Sequence, residues 1–351
     1  MLIRYLLFPV LMLFISCQNS EMISHEDPVK IILDTDMGSD ADDAGALALL
    51  HSYADQGEAE ILGVIYSSGK VPYGAAISEA INIYYGRPEI PVGADHEGEF
   101  GDPVDKMNAG KLARDTTAFR NTIIHNRDAA EQTELNRRLL AESEDNSVTY
   151  VTIGHTRGLY KLLTSEPDEI SPLSGMELVQ QKVKRWIALG ALGAYNEGNH
   201  FVIDWNFWFN DTQPYTKYLV DNFPVDAVFI DAGHEILTGK SLRDTPKGNI
   251  LRTAYRDWLW WYNEYTFEDQ RPSWDLVAVH YAVHGLGEWL EYAPQGWLEY
   301  DIEDGSRWNI GESDRRHKYV IEKDGIRKEF ADYLNEMIGR TPQNYDPSLW
   351  K

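Results

Sequence analysis

Residues 31–50 read IILDTDMGSDADDAGALALL, and this stretch constrains the fold more than any other. Five aspartates, Asp34, Asp36, Asp40, Asp42 and Asp43, fall between an apolar strand pattern and an apolar helix pattern. An uninterrupted apolar run of strand length suits a strand covered on both faces, as in parallel sheets. Ligands of such sheets gather just beyond the carboxyl ends of the strands, where these acids stand. That many carboxylates ionise together only if a cation offsets them or some take up protons. Oxygen donors with no thiol or imidazole among them favour Ca²⁺ or Mg²⁺ over zinc. Gly38 permits a tight turn between the two halves of the cluster.

The rest of the chain repeats the strand–helix alternation. Strands are expected at 30–34, 60–66, 148–153, 185–189 and 226–231. Helices are expected at 43–53, 75–85, 129–142, 159–163, 250–265 and 276–284, with a polar, irregular stretch over 93–127. This order predicts an α/β fold, an open and mostly parallel sheet with helices on both faces. With no repeat and no linker, one domain over 29–340 is expected, followed by a C-terminal tail at 341–351.

The N-terminus has a different character. Arg4 precedes a ten-residue apolar run, Leu6 to Ile15, too short to span a bilayer. Ser16 and Cys17 follow, and Cys17 is the single cysteine. The pattern is that of a secretory signal over 1–16. It resembles the bacterial lipoprotein signal, which implies a lipid on Cys17, a tether over 17–28 and a protein exported and anchored to a bacterial membrane, with Phe14 where Leu is usual. No other cysteine remains for disulfides or thiol catalysis. The formal net charge of −24, from 32 basic and 56 acidic residues, argues against a nucleic-acid partner.

The acidic stretch resembles the N-terminal signature of the nucleoside hydrolases, a strand followed by DxDxGxDDA and an apolar helix. Here DTDMGSDADDAGAL carries two additional residues before Asp-Asp-Ala. The resemblance extends over most of 29–338 and implies the family's open parallel sheet. Matched at both ends, Asp36 takes the place of the family's catalytic base and calcium ligand, Asp42 that of a ribose contact and Asp43 that of a bidentate calcium ligand. Ile153, before Gly154, would offer its carbonyl to the ion. Asp204 and Asn206 in Asp-Trp-Asn-Phe match ribose-binding groups, and Asp275 matches the last calcium ligand. Trp274 stands where the family often has a histidine that helps protonate the departing base; it can stack on a base but cannot act as an acid. His155-Thr156-Arg157-Gly158 replaces Pro-Leu-Thr-Asn, and the asparagine after the second strand is absent.

The resemblance thus implies a Ca²⁺-dependent hydrolase that cleaves the N-glycosidic bond of a nucleoside or related riboside. An oxocarbenium-like ribose would be held by Asp42, Asp204 and Asn206, and Asp36 would take a proton from water. Tyr255, Trp258, Trp260, Trp261 and Tyr262 on the 250–265 helix are candidates for the base pocket. Two other readings stay open. One is a lipoprotein that binds a nucleoside or sugar through calcium without cleaving it. The other is a Mg²⁺-dependent phosphatase of the haloacid-dehalogenase type, with Asp34 as nucleophile. The oligomeric state is left open, a homo-oligomer included.

Overall fold

Ile31, Ile32 and Leu33 follow one another in β1 (Val29–Thr35), and all three are fully buried. Successive side chains of a strand point to opposite faces, so this strand must be covered on both. The structure, a computed structural model, describes residues 27–263, 269–346 and 348. The expected signal segment, Cys17 and all but the end of the tether lie outside the described residues.

After β1 the chain forms α1 (Asp42–Asp55), β2 (Ala59–Tyr66), α2 (Gly74–Tyr84), β3 (Val92–Ala94), α3 (Ala109–Arg114), α4 (Thr116–Phe119), β4 (Ala130–Glu131) and α5 (Gln132–Glu142). It continues through β5 (Val148–Thr152), α6 (Arg157–Leu163), α7 (Gly175–Lys182), β6 (Val183–Leu189), α8 (Trp205–Trp208), α9 (Gln213–Asn222) and β7 (Asp226–Asp231). The last third holds β8 (Leu237–Thr238), α10 (Ile250–Asn263), β9 (Arg271–Pro272), α11 (Trp274–His284), β10 (Leu290–Tyr292), β11 (Gly296–Asp301), β12 (Gly305–Ile310), β13 (His317–Glu322) and α12 (Arg327–Gly339).

Nine strands form one sheet in the order β10-β13-β7-β6-β5-β1-β2-β3-β4. Every neighbouring pair is parallel except β10 with β13. The chain builds outward from β1 to β4, then returns to lay β5 on the other edge of β1 and builds outward again. The direction therefore reverses between β1 and β5, and a crevice opens beyond their carboxyl ends. Two apolar layers cover the sheet. Ile31, Leu33, Val64 and Val151 face one, with α1, α10, α11 and α12; Ile32, Ile65, Tyr150 and Trp186 face the other, with α6, α7 and α9. The expected α/β architecture is the one observed.

Helices α1 and α11 are buried almost all round, from Asp42 to Tyr53 and from Asp275 to Ala282. Gly45 lets them approach: a Cβ there would lie 2.9 Å from Leu276 Cδ1 and closer still to the Tyr255 hydroxyl. Two helices that both begin at the crevice aim their positive ends at it. The stretch expected to be irregular, 93–127, contains the end of β3 together with α3 and α4. Helix α7, strands β10 to β13 and helix α12 are further elements that the sequence reading did not place. Among the described residues no helix is long and apolar enough to cross a membrane.

Candidate active site

Thr35 ends β1 and Asp36 follows it, and their local bonds tie the strand to the start of α1. The Thr35 hydroxyl donates to Asp43 Oδ1, and the Asp36 amide donates to the same oxygen at 3.2 Å. Gly38, at φ +117°, turns the chain between them. The two additional residues of the loop bring in Asp40, which binds Arg271 of β9. Arg271 Nε donates to Asp40 Oδ1 at 2.8 Å, Nη2 donates to Oδ2, and Nε lies 3.6 Å from Asp42 Oδ1. Although burial pushes the Asp40 carboxyl upward, Arg271 holds it below its ordinary value. The guanidinium lies between the rings of Trp258 and Trp274, 4.5 and 4.6 Å from their centres. The sequence reading did not single out Arg271; an extra half-buried acid signals that a cation must answer it, but not which one.

Packing of α1 against α11 brings Asp275 to the adjacent pair Asp42 and Asp43 from the far part of the chain. Carboxylate oxygens of Asp42, Asp43 and Asp275 lie within 4.8 Å of one another, and all three residues are buried. Asp36 and Ile153 line the same cleft, with Asp36 beside this trio rather than in it. Burial raises the carboxyls of Asp36, Asp42, Asp43 and Asp275 above their ordinary values; neighbouring like charges add to this, while His155 draws Asp36 the other way. Buried carboxyls that repel one another, joined by a peptide oxygen, are a donor set that fits a hard divalent cation.

The cleft encloses about 320 Å³. All eight residues singled out in the sequence line it: Asp36, Asp42, Asp43 and Ile153 on one side of the chain's order, Asp204, Asn206, Trp274 and Asp275 on the other. Asp204 caps α8, accepting the amides of Asn206 and Phe207 at 3.2 and 3.1 Å and that of Ala191 at 2.9 Å. Burial nevertheless pushes its carboxyl up to about 7. Asn206 Nδ2 donates to the Ile153 carbonyl at 3.0 Å and to the Leu189 carbonyl at 3.2 Å, so the amide braces the ends of β5 and β6 against each other. Lys106 and Trp205 complete the mouth, with Lys106 Nζ 2.9 Å from Asp102 and 5.5 Å from the centre of the Trp205 ring.

His155 is a second residue that gained its meaning only in three dimensions. It is buried, its Nε2 lies 3.7 Å from Asp36 Oδ2, and its Nδ1 meets the Asn206 carbonyl at 3.4 Å. Of the aromatic candidates on α10, Trp258 lines the cleft. Tyr255 is fully buried against α1, and Trp260 is 62 % exposed, so neither walls the cleft. Trp261 stands at its edge, near Lys106, and the side chain of Tyr262 lies outside the described residues. Asp34 is fully buried beneath the cleft, where Tyr150 donates to it at 3.3 Å. A phosphatase nucleophile must face its substrate, and Asp34 does not line the cleft, which removes the phosphatase reading.

Hydrolysis of an N-ribosyl bond needs a water-activating carboxylate, oxygens that hold the sugar hydroxyls and a wall for the base. Carboxylates, an amide and indole walls meet in this cleft, and the chain is by class a nucleoside N-ribohydrolase. It belongs to the inosine-uridine preferring nucleoside hydrolase family, whose model matches residues 31–331. Among solved structures it is similar to the purine-preferring ribonucleoside hydrolase of Gardnerella vaginalis, at 16% identity and a TM-score of 0.62 over 88% of this chain and 98% of that one. It is also similar to a plant nucleoside hydrolase, at 17% identity and a TM-score of 0.61 over 89% and 99% of the two chains. The inosine-uridine preferring enzyme of Bacillus anthracis is similar at 17% identity and a TM-score of 0.60, over 88% and 99%. At these identities the likeness is one of fold. No curated protein matches the sequence.

Proposed function

We propose that this protein is a calcium-dependent hydrolase that releases ribose from a nucleoside or related N-riboside, with Asp36 as the general base. The observation that carries the reading is the meeting of Asp42, Asp43 and Asp275 in one buried set, in a cleft shared by Asp36 and the Ile153 carbonyl. Asp43, Asp275, Asp36 and the Ile153 carbonyl are the ligands that the family pattern implies, and the approach of Asp42, the implied ribose contact, to Asp43 and Asp275 supports a share for it in holding the ion. A calcium ion bound there supplies Lewis acidity toward oxygen and an anchor for vicinal hydroxyls.

The side chains account for the rest. Asp36, at the mouth of β1, takes a proton from the attacking water. Asp204, fixed by three backbone amides, presents its carboxyl to the ribose hydroxyls together with Asn206. Trp274 covers the base. An intact Asp36 in the cleft favours hydrolysis over a binding role alone. Ribose release from inosine and uridine by the wild type, and its loss in Asp36→Asn with calcium still bound, is the expected result; undiminished release by the variant would refute the assignment of the base.

The N-terminal pattern supports export and a lipid anchor at Cys17. Cys17→Ser is expected to shift the protein from the membrane to the soluble fraction of cells, and unchanged sedimentation would refute the anchor.

A further inference from the structure

A second concavity has the opposite charge to the acid-lined cleft and shares no lining residue with it. It encloses about 290 Å³ between three segments, 69–72 after β2, 95–98 after β3 and 125–127 ahead of β4. Close packing holds these segments together. A Cβ on Gly69 would lie 2.7 Å from Gly98 Cα and 2.8 Å from its nitrogen, so a side chain there would part the first two. Asn126, which is buried, ties the third to the first. Its Nδ2 donates to the Val71 carbonyl at 3.1 Å and its amide donates to the Pro72 carbonyl at 3.0 Å. Arg127 Nε donates to the His96 carbonyl at 3.2 Å and joins the third segment to the second.

The acids of this pocket are already answered. Asp95 and Glu97 line it, and α6 supplies their partners. Arg157 donates to Asp95 at 3.1 Å and also to Glu97, and Lys161 Nζ donates to Glu97 at 2.6 Å. Asp95 accepts the Gly98 amide at 3.0 Å and the Gln132 side chain at 3.1 Å as well. Asp128, next to Arg127, does not line the pocket and accepts the amides of Ile124 and His125. Lys70, by contrast, forms no ion pair among the described residues, and Arg127 spends only its Nε. His125 adds a donor: its Nδ1 accepts the Arg127 amide at 3.2 Å, so the neutral ring carries its proton on Nε2. An ammonium, a guanidinium edge and an imidazole N–H thus line one pocket of a chain whose net charge is −24.

We propose that this pocket binds a small phosphate-bearing anion, inorganic phosphate or a phosphate monoester. Lysine offers a point charge and arginine a planar fork, a pair of donors that suits phosphate oxygens. The volume, close to the lower bound of about 300 Å³ for ordinary ligand pockets, suits a small ligand. Seven aspartates of the cleft repel the same anion, so the two sites take different ligands. The assignment does not depend on the hydrolase reading.

Calorimetric titration of the intact protein at neutral pH, in chloride buffer, tests it. Inorganic phosphate and glycerol 3-phosphate are the probes, and glycerol is the uncharged control. Saturable binding of one anion per chain is expected, with no binding of glycerol. Saturation by phosphate alone assigns the free anion, and saturation by the ester assigns a monoester. Lys70→Met and Arg127→Gln are each expected to weaken binding about tenfold, since each removes a charged donor, while thermal melting shows that both variants fold. Asp275→Asn is expected to bind the anion as the wild type does. Three results overturn the proposal: neither probe saturates by about 10 mM, either charge variant binds undiminished, or Asp275→Asn loses binding, which puts the anion in the cleft.

Discussion

Asp36 and Asp40 stand four residues apart in one loop, yet their surroundings set them to different tasks. Asp36 faces the cleft with burial raising its carboxyl, whereas Asp40 is kept ionised by a two-point contact with Arg271. If Asp36 is the base, Asp36→Asn lowers kcat by about 10²–10⁴ in steady-state assays run at calcium concentrations that saturate the variant. Arg271 answers a half-buried carboxylate, Asp40, and a buried one, Asp42, at once. Arg271→Gln leaves them without a counter-charge and is expected to cost on the order of 3 kcal/mol in urea unfolding. The double variant Asp40→Asn, Arg271→Gln should recover part of that loss, because the stranded charge goes with its partner. Simple addition of the two single effects would show that the pair is not energetically coupled.

At the level of elements, the site is set by how strand ends and helix starts meet. Gly154 follows β5, and a Cβ there would lie 2.6 Å from the Asp36 amide nitrogen and 2.9 Å from its Cβ. Gly154→Ala is therefore expected to displace the end of β1, to cost about 1–3 kcal/mol in unfolding and to lower kcat at least tenfold, because a small shift at the reacting groups costs much in rate. A variant with full activity would show that β1 has room to move. The strands β1, β2, β5, β6 and β7 were legible because each is an apolar run bounded by polar residues. So was the acid-bearing start of α1, since five aspartates behind a buried strand have few explanations. β11 and β12 were not, because polar and charged residues interrupt them and neither carries an apolar run, and α12 is amphipathic but short of a distinctive start. The pairing of Asp40 with Arg271 and the approach of His155 to Asp36 arise from tertiary contact alone, with no local pattern to announce them.

For the molecule as a whole, buried acid dominates the response to pH. Burial pushes Asp34 up to about 8 and Asp204 up to about 7, against an ordinary value of 3.8. The native state then binds more protons than the unfolded chain between about pH 4 and 8, so stability falls as pH rises through that window. The raised carboxyls of the cleft act in the same direction. Calcium bound as proposed would reverse the trend at its ligands, since it binds their ionised form. The melting temperature of metal-stripped protein is expected to decline from pH 5 to pH 8, and the gain on adding calcium to grow over the same range. A calcium gain independent of pH would place the ion elsewhere. The most direct test of the central claim follows ribose release by chelator-treated protein as free calcium is restored. This account predicts no release without the ion, saturable recovery at one calcium per chain, and no recovery in Asp275→Asn at the concentration that saturates the wild type. Full activity in chelator, or recovery undisturbed by that substitution, would contradict it.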